Sequence, residues 1–168
     1  MKRNGMTGIV MGVMVFLCVG NVYGKKDKAA ELDSIFQRVK TEDVRIEIDR
    51  VISASVPNTT RFNPRGFLEI ADSTAKGKLP FFGKAYSVPY GDANGVEFDG
   101  KMSRKLVEKK KKAIELRFDI QAKNENYQFF VQLFPGGNTS VRLNSNQRES
   151  ISYDGDYTFF NSRGNKAD

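Results

Sequence analysis

The sequence contains no histidine and no tryptophan, and its single cysteine is Cys18. Without histidine the chain has no Ser-His or Cys-His nucleophile pair, no imidazole metal ligand and no imidazole base near neutral pH. With only one cysteine it can form no internal disulfide, so packing must supply its stability. These absences disfavour an enzyme and predict no cofactor, and they leave carboxylate chemistry as the main route to catalysis.

Residues 1–24 resemble a secretory signal peptide. Two basic residues near the start precede an apolar run at residues 9–20, and a small-residue pattern ends at Gly24. The run is shorter than the roughly 20 apolar residues that a membrane span needs, so we favour cleavage over an uncleaved anchor. The sequence therefore predicts export, to the periplasm or to the outer surface and medium, with no transmembrane segment after cleavage.

The predicted mature chain carries a mild positive charge. Removing residues 1–24, which hold two of the 27 basic residues and none of the 20 acidic ones, leaves 144 residues with a net charge of +5. A chain of this length forms one domain with a core of its own. Because the charge is spread along the chain and the protein is predicted to be exported, we expect no nucleic-acid partner.

The N-terminal part of the mature chain predicts an amphipathic helix at residues 25–42. Apolar residues follow one another at spacings of three and four, at Ala29, Leu32, Phe36 and Val39. The pattern leaves open whether this helix caps the domain or tethers it. Residues 43–160 are predicted to form a single antiparallel β domain, and the polar residues 161–168 a flexible tail.

Alternation of apolar and polar residues indicates strands after residue 42. Such alternation is typical of an antiparallel sheet with one wet face. Arg50 interrupts the first strand on its apolar face, and we favour a β-bulge that turns it outward over a buried ion pair. The predicted strands are residues 44–56, 66–71, 81–88, 95–99, 105–108, 113–123, 127–134, 140–144 and 149–153. The fold class is therefore mainly β: an antiparallel sheet, open barrel or sandwich of about eight or nine strands with one N-terminal α-helix.

The segment LPFFGKAYSVPYG, Leu79 to Gly91, is unusually rich in aromatic residues. Its alternation favours a structural strand, with small residues on one face for close packing. A contact surface for a ligand or partner is the alternative reading, and its candidate residues are Phe82, Lys84, Tyr86 and Tyr90.

Two polar segments are less favoured candidate sites. Oxygen ligands in the sequence DANGVEFD resemble part of a calcium loop, but hairpin turns use the same residues, so we expect no metal. A lysine run could contact an anionic surface, although a solvated hairpin tip explains it as well. The loop candidates are Asp92, Asn94, Glu97 and Asp99, and the lysine run is Lys109, Lys110, Lys111 and Lys112.

Several phrases together are similar to one known family. They are LPFFGKAYSVPYG, GVEFDG, AIELRFDI after the lysine-rich hairpin, and SVRLNSNQRESISYDG, in the family's order and spacing. From about Val44 to Gly155 the chain resembles the exported bacterial proteins grouped as the domain of unknown function numbered 4251, with Phe81 where the family commonly has tyrosine. The resemblance implies an extracytoplasmic protein of Gram-negative bacteria, and it implies no activity, cofactor or catalytic residue.

Three functions remain open from the sequence. The favoured one is a non-enzymatic binding or structural accessory domain of the cell envelope, whose partner is an envelope protein. A lipocalin-like barrel that carries a small apolar ligand is the second, because the chain holds 13 Phe and six Tyr. A carboxylate-dependent glycan hydrolase is the third.

Overall fold

The structure, a computed structural model, describes residues 23–53, 60–86, 95–122 and 125–161. These residues form one N-terminal helix followed by eight β-strands. The elements are α1 (Tyr23–Thr41), β1 (Asp43–Ser53), β2 (Thr60–Ile70), β3 (Thr74–Pro80), β4 (Gly95–Lys109), β5 (Ile114–Gln121), β6 (Asn126–Leu133), β7 (Asn138–Ser145) and β8 (Ile151–Phe160).

The eight strands form a closed antiparallel barrel. Each strand pairs with the next one along the chain, and β8 returns to pair with β1 from Asp43↔Phe160 to Ser53↔Ile151. The predicted mainly β fold with one N-terminal helix is confirmed. Closure leaves no free sheet edge in the described barrel, which removes the aggregation hazard of an open sheet.

Period-2 alternation sorts the side chains between the barrel interior and its outer wall. In β5 the residues Ile114, Leu116, Phe118 and Ile120 are almost completely buried, whereas the residues between them face outward. Burying each such side chain contributes roughly 1.5–3 kcal/mol. The interior is therefore an apolar core that the alternating sequence specifies directly.

The charge that interrupts β1 lies at a bulge, as predicted. The β1–β2 and β1–β8 registers both shift between Ile48 and Arg50. The extra residue turns the Arg50 side chain to the outer wall, where its Nε donates to Asp154 Oδ2 at 2.9 Å.

Several predicted strand boundaries were wrong. β2 begins at Thr60 rather than at residue 66, and β8 spans Ile151–Phe160 rather than residues 149–153. The segment 81–88 was predicted as a strand, but the strand is β3, which ends at Pro80, and within residues 81–86 the only β-type pairing is the isolated bridge Ala85↔Arg148. The predicted strands 95–99 and 105–108 are one strand, β4. A bulge between Ser103 and Leu106 interrupts the alternation of β4, so its sequence reads as two pieces.

Helix α1 covers one end of the barrel, which we call the helix end. Leu32, Ile35 and Val39 are buried against the core. The Gly136 N–H donates to Glu31 Oε1 at 2.7 Å, so the helix is also tied to the β6–β7 turn. The sequence left open whether this helix caps the domain or tethers it, and in the structure it caps the barrel.

Candidate functional site

The opposite end of the barrel is crossed by residues 80–86, which we call the strap. The strap begins where the buried Tyr153 hydroxyl donates to the Pro80 carbonyl oxygen at 3.0 Å. Phe81 then inserts into the core and is only 3% exposed. Burial raises the pKa of the Tyr153 phenol, so it remains a protonated donor well above neutral pH.

The second half of the strap is held by backbone hydrogen bonds to the β7–β8 connection. The Tyr86 N–H donates to the Gln147 carbonyl at 2.8 Å, and the Glu149 N–H donates to the Lys84 carbonyl at 2.9 Å. The Glu149 carboxylate also accepts from the Lys84 N–H at 3.1 Å. The strap backbone is therefore fixed although it is not a strand.

A buried ion pair lies beneath the strap. Arg148 Nε donates to both carboxylate oxygens of Glu125, at 3.0 and 3.1 Å, and the two side chains are only 4% and 8% exposed. The Tyr127 hydroxyl donates to the same carboxylate at 2.9 Å, and the Ser145 hydroxyl also donates to it. Arg148 reaches further, to the Gly95 carbonyl at 3.1 Å.

The contacts of this pair indicate a structural role. The Glu125 carboxylate accepts from three different side chains, which is what a buried charge needs in order to be tolerated. Arg148 lies 5.2 Å from the Phe81 ring centroid and forms the bridge to Ala85. The pair therefore fastens the strap to the barrel, and its carboxylate is already engaged as an acceptor.

Three of the four aromatic-segment candidates lie in the part of the chain that the structure describes, in two kinds of environment. Phe82 is half-buried and packs against the core. Lys84 is exposed, and the Tyr86 ring is 69% exposed on the fixed strap. Tyr90 lies outside the described residues. The strap thus presents one cation and one aromatic ring at this end of the barrel.

The calcium-loop candidates are only partly described. Glu97 and Asp99 lie on the outer face of β4, and Lys78 approaches Glu97 at 3.7 Å. Asp92 and Asn94 lie outside the described residues. Across the ranges that the structure describes, no three or more acidic, cysteine or histidine side chains are grouped so as to hold a metal ion.

The four lysines lie at the helix end, where β4 leads into β5. Lys109 Nζ contacts Asp33 of the helix at 2.5 Å, and Lys110 contacts Glu108 at 2.7 Å. Lys111 and Lys112 are exposed. The structure therefore engages two of the four in local ion pairs, and contact with an anionic surface stays a prediction.

The outer wall carries a shallow depression of about 200 Å³, which we call the wall hollow. Neighbouring strands place Arg117, Phe130, Arg142 and Ser152 in one row across β5 to β8. The side chains of Glu115, Gln132 and Ser140 form the adjoining row.

Hydrogen bonds organise one side of the wall hollow. Gln132 Nε2 donates to Glu115 at 2.9 Å, and Arg117 donates to the other carboxylate oxygen at 3.1 Å. These contacts, with the Gln132 bond the largest, lower the pKa of Glu115. Glu115 thus stays ionised and balances the charge of Arg117.

A second depression, the aspartate groove, adjoins the wall hollow at Ser140 and measures about 530 Å³. It contains Asp49, Asp154 and Asp156, and Arg50 pairs with Asp154. Three carboxylates therefore share one opening in this groove.

Sequence reasoning missed the buried pair and the wall hollow. Glu125 and Arg148 both lie in turn segments, and the pairing of β6 with β7, which sets Tyr127 opposite Ser145, brings them together. The outward residues of β5 were predicted to form a wet sheet face and not a site. The feature that identifies the hollow is the pairing of neighbouring strands, which places one arginine on either side of Phe130. Residue patterns along one sequence do not reveal which residues of neighbouring strands lie opposite each other.

The fold and its two ends define a class of protein: a closed eight-stranded antiparallel barrel capped by an N-terminal helix and crossed by a strap. Residues 26–157 match the family model described as Domain of unknown function (DUF4251). The chain belongs to this family. The resemblance inferred from the sequence is therefore confirmed.

A solved structure supports the fold. The chain is similar to the crystal structure of a DUF4251 family protein from Bacteroides eggerthii, with 21% identity and a TM-score of 0.56, over 80% of this chain and 91% of that one. At this identity the likeness concerns the fold alone. No curated protein matches the chain. Within the described residues, no helix combines the length and apolarity needed to cross a membrane.

Proposed function

We propose that the protein is a non-enzymatic binding or structural accessory domain of the bacterial cell envelope, which contacts an envelope protein through its strap. The observation that carries this proposal is the exposure of the Tyr86 ring, 69%, on a backbone held by hydrogen bonds. A fixed aromatic side chain loses little conformational entropy when a partner covers it, and such residues dominate binding energy at interfaces. The signal-like residues 1–24 support the envelope location.

Charge specifies the partner further. Lys84 lies two residues before Tyr86, both are exposed, and the predicted mature chain is positive overall. An envelope protein that offers an apolar pocket for the ring, with carboxylates beside it, complements this surface.

Site-specific crosslinking tests the strap as a contact surface. A photoreactive phenylalanine analogue replaces Tyr86 in the full chain, and a matched protein carries it at Lys101, which is exposed on the outer wall. We expect the analogue at position 86, but not at 101, to capture a defined envelope protein. Excess wild-type protein should suppress that capture, whereas excess Tyr86→Ala of unchanged melting temperature should not.

Two results of this experiment would reject the strap contact. The first is equal capture from positions 86 and 101, which would indicate nonspecific proximity. The second is equal competition by wild-type and Tyr86→Ala protein. A large loss of stability in Tyr86→Ala would place the ring in the core and would also contradict the proposal, because truncating a core aromatic costs about 3–5 kcal/mol.

The barrel interior argues against carriage of an apolar ligand. The rings of Phe98, Phe118 and Phe129 pack on one another inside the barrel, with centroids 5.0 Å apart between neighbours. A ligand there would have to displace packed side chains, at a cost of several kcal/mol. We therefore favour surface binding over a lipocalin-like carrier.

A glycan hydrolase is the second candidate, and the aspartate groove is the observation that favours it. Because Asp154 is paired with Arg50, the two remaining carboxylates, Asp49 and Asp156, are the candidate acid and base. Release of reducing ends from envelope glycans, lost in Asp49→Asn and Asp156→Asn, would establish it. Equal release by wild type and both variants, or none, would reject it.

A further inference from the structure

We propose that the wall hollow is a binding site for a single carboxylate-bearing sugar unit, of the uronic acid type. This site is separate from the strap and does not depend on the proposed function. The main observation behind this proposal is the state of Arg142. Its side chain is exposed at the hollow and has no hydrogen-bond or ion-pair partner in the described part of the chain.

The charges of the hollow leave one cation unbalanced. Glu115 is ionised and bound to Arg117 and Gln132, so that the charge of Arg117 is already matched. Arg142, on the far side of Phe130, is not matched. A planar guanidinium binds a carboxylate through two parallel hydrogen bonds, which makes a carboxylate the complementary group.

The rest of the lining distinguishes a sugar from a simple anion. Phe130 is half-buried between the two arginines and offers an apolar surface for the face of a ring. Ser140 and Ser152 place hydroxyl groups beside Arg142, where they can exchange hydrogen bonds with ring hydroxyls. A plain carboxylate such as acetate would leave Phe130 and both serines unused.

The size of the hollow limits the ligand to one unit. Its volume is about 200 Å³, whereas pockets for drug-sized ligands are about 300–1,000 Å³. Beyond Ser140 the surface becomes the aspartate groove, whose carboxylates repel further acidic units. The site therefore suits a terminal acidic sugar better than the middle of an acidic chain.

Titration with three small probes tests this site directly. Amide NMR spectra of the full protein are recorded with glucuronate, glucose and acetate. We expect glucuronate to shift the amides around Phe130 and Arg142 with a Kd of about 1 mM, typical of one shallow contact. Glucose and acetate should each bind at least about tenfold more weakly, since each lacks half of the recognised groups.

Two variants and a control assign the effect to the hollow. Arg142→Gln should weaken glucuronate binding about tenfold, the value of one charge-assisted contact. Phe130→Leu should weaken glucuronate binding and leave the acetate response unchanged. Lys101→Gln removes one positive charge from another part of the wall and should bind as the wild type does.

Three outcomes would overturn the proposal. The first is acetate binding as tight as that of glucuronate, which would make the hollow a site for simple anions. The second is an equal loss of glucuronate affinity in Arg142→Gln and Lys101→Gln, and the third is the absence of any glucuronate-dependent shift at the hollow. None of them bears on the crosslinking result at Tyr86, so the two proposals fail separately.

Discussion

At the scale of single residues, Gly155 has the least room for a side chain among the glycines that the structure describes. It pairs with Ile48 beside the β1 bulge, and a Cβ added there would lie 1.9 Å from the Glu47 carbonyl oxygen. Backbone atoms of a neighbouring strand cannot move aside as a flexible side chain can. We expect Gly155→Ala to lower the free energy of unfolding by about 3 kcal/mol, the upper range for overpacking, as measured by urea denaturation.

Gly100→Ala is the matched control for this prediction. It also lies in a strand, but its added Cβ would meet only Ile120 Cγ2, at the ordinary contact distance of 3.8 Å. Its effect should stay within about 1 kcal/mol. Equal urea midpoints for the two variants would contradict the close approach of β8 to β1.

At the scale of elements, the strap depends on the buried Glu125–Arg148 pair. Arg148→Met removes the cation and leaves the Glu125 carboxylate buried with fewer donors, so we expect a loss of about 3–5 kcal/mol in unfolding free energy. Glu125→Gln combined with Arg148→Met should lose less, because no uncompensated charge remains. Urea denaturation of the two single variants and the double variant measures the coupling.

An exposed ion pair provides the comparison. Lys78 and Glu97 approach at 3.7 Å, with side chains 68% and 75% exposed. Lys78→Met should change stability by less than about 1 kcal/mol. If Arg148→Met were equally mild, or if the double variant were less stable than Arg148→Met, the pair would not be fastening the strap.

The strands that the sequence predicts well are those with large alternating side chains. β5 alternates apolar and polar residues without interruption, and it forms as expected. β3 was missed because its inward residues are Ala75, Gly77 and Leu79, two of which are too small to give a hydrophobic signal. The aromatic strap beside it gave a stronger pattern and was mistaken for the strand.

The candidate site was only partly predictable, for a related reason. The exposed Tyr86 and Lys84 were singled out from the sequence, but the contacts that fix them come from residues 147–149 and from the pair below. Contacts across a closed barrel depend on strand register and on closure itself. Local patterns specify which way a residue faces, and they do not specify which residues meet.

At the scale of the whole molecule, β8 connects the two covered ends of the barrel through two tyrosines. Tyr153 donates to the strap at Pro80, and Tyr157 donates to the Phe134 carbonyl at 2.9 Å, near the helix end. Burial raises the pKa of both phenols, that of Tyr157 to about 12 from an ordinary value of 10.0. Both ends are therefore held by neutral phenols.

This arrangement predicts a loss of stability at alkaline pH. Below pH 10 the folded and unfolded chains both keep these phenol protons, so the stabilisation is complete. Above pH 10 the unfolded chain loses them while folded Tyr157 keeps its own up to about pH 12, and ionisation then drives unfolding. The free energy of unfolding should thus fall as the pH rises from about 10 to 12.

Lysine deprotonation weakens ion pairs over the same pH range. The quantity to compare is therefore the slope of unfolding free energy against pH, in wild type and in a variant that lacks the phenol. Tyr157→Phe loses one hydrogen bond and should be less stable near neutral pH, by about 1 kcal/mol. Its unfolding free energy should nevertheless fall less steeply above pH 10, because one linked proton is gone. If unfolding free energy fell with pH equally steeply in wild type and Tyr157→Phe, the burial of this phenol and its role in holding the barrel end would be contradicted.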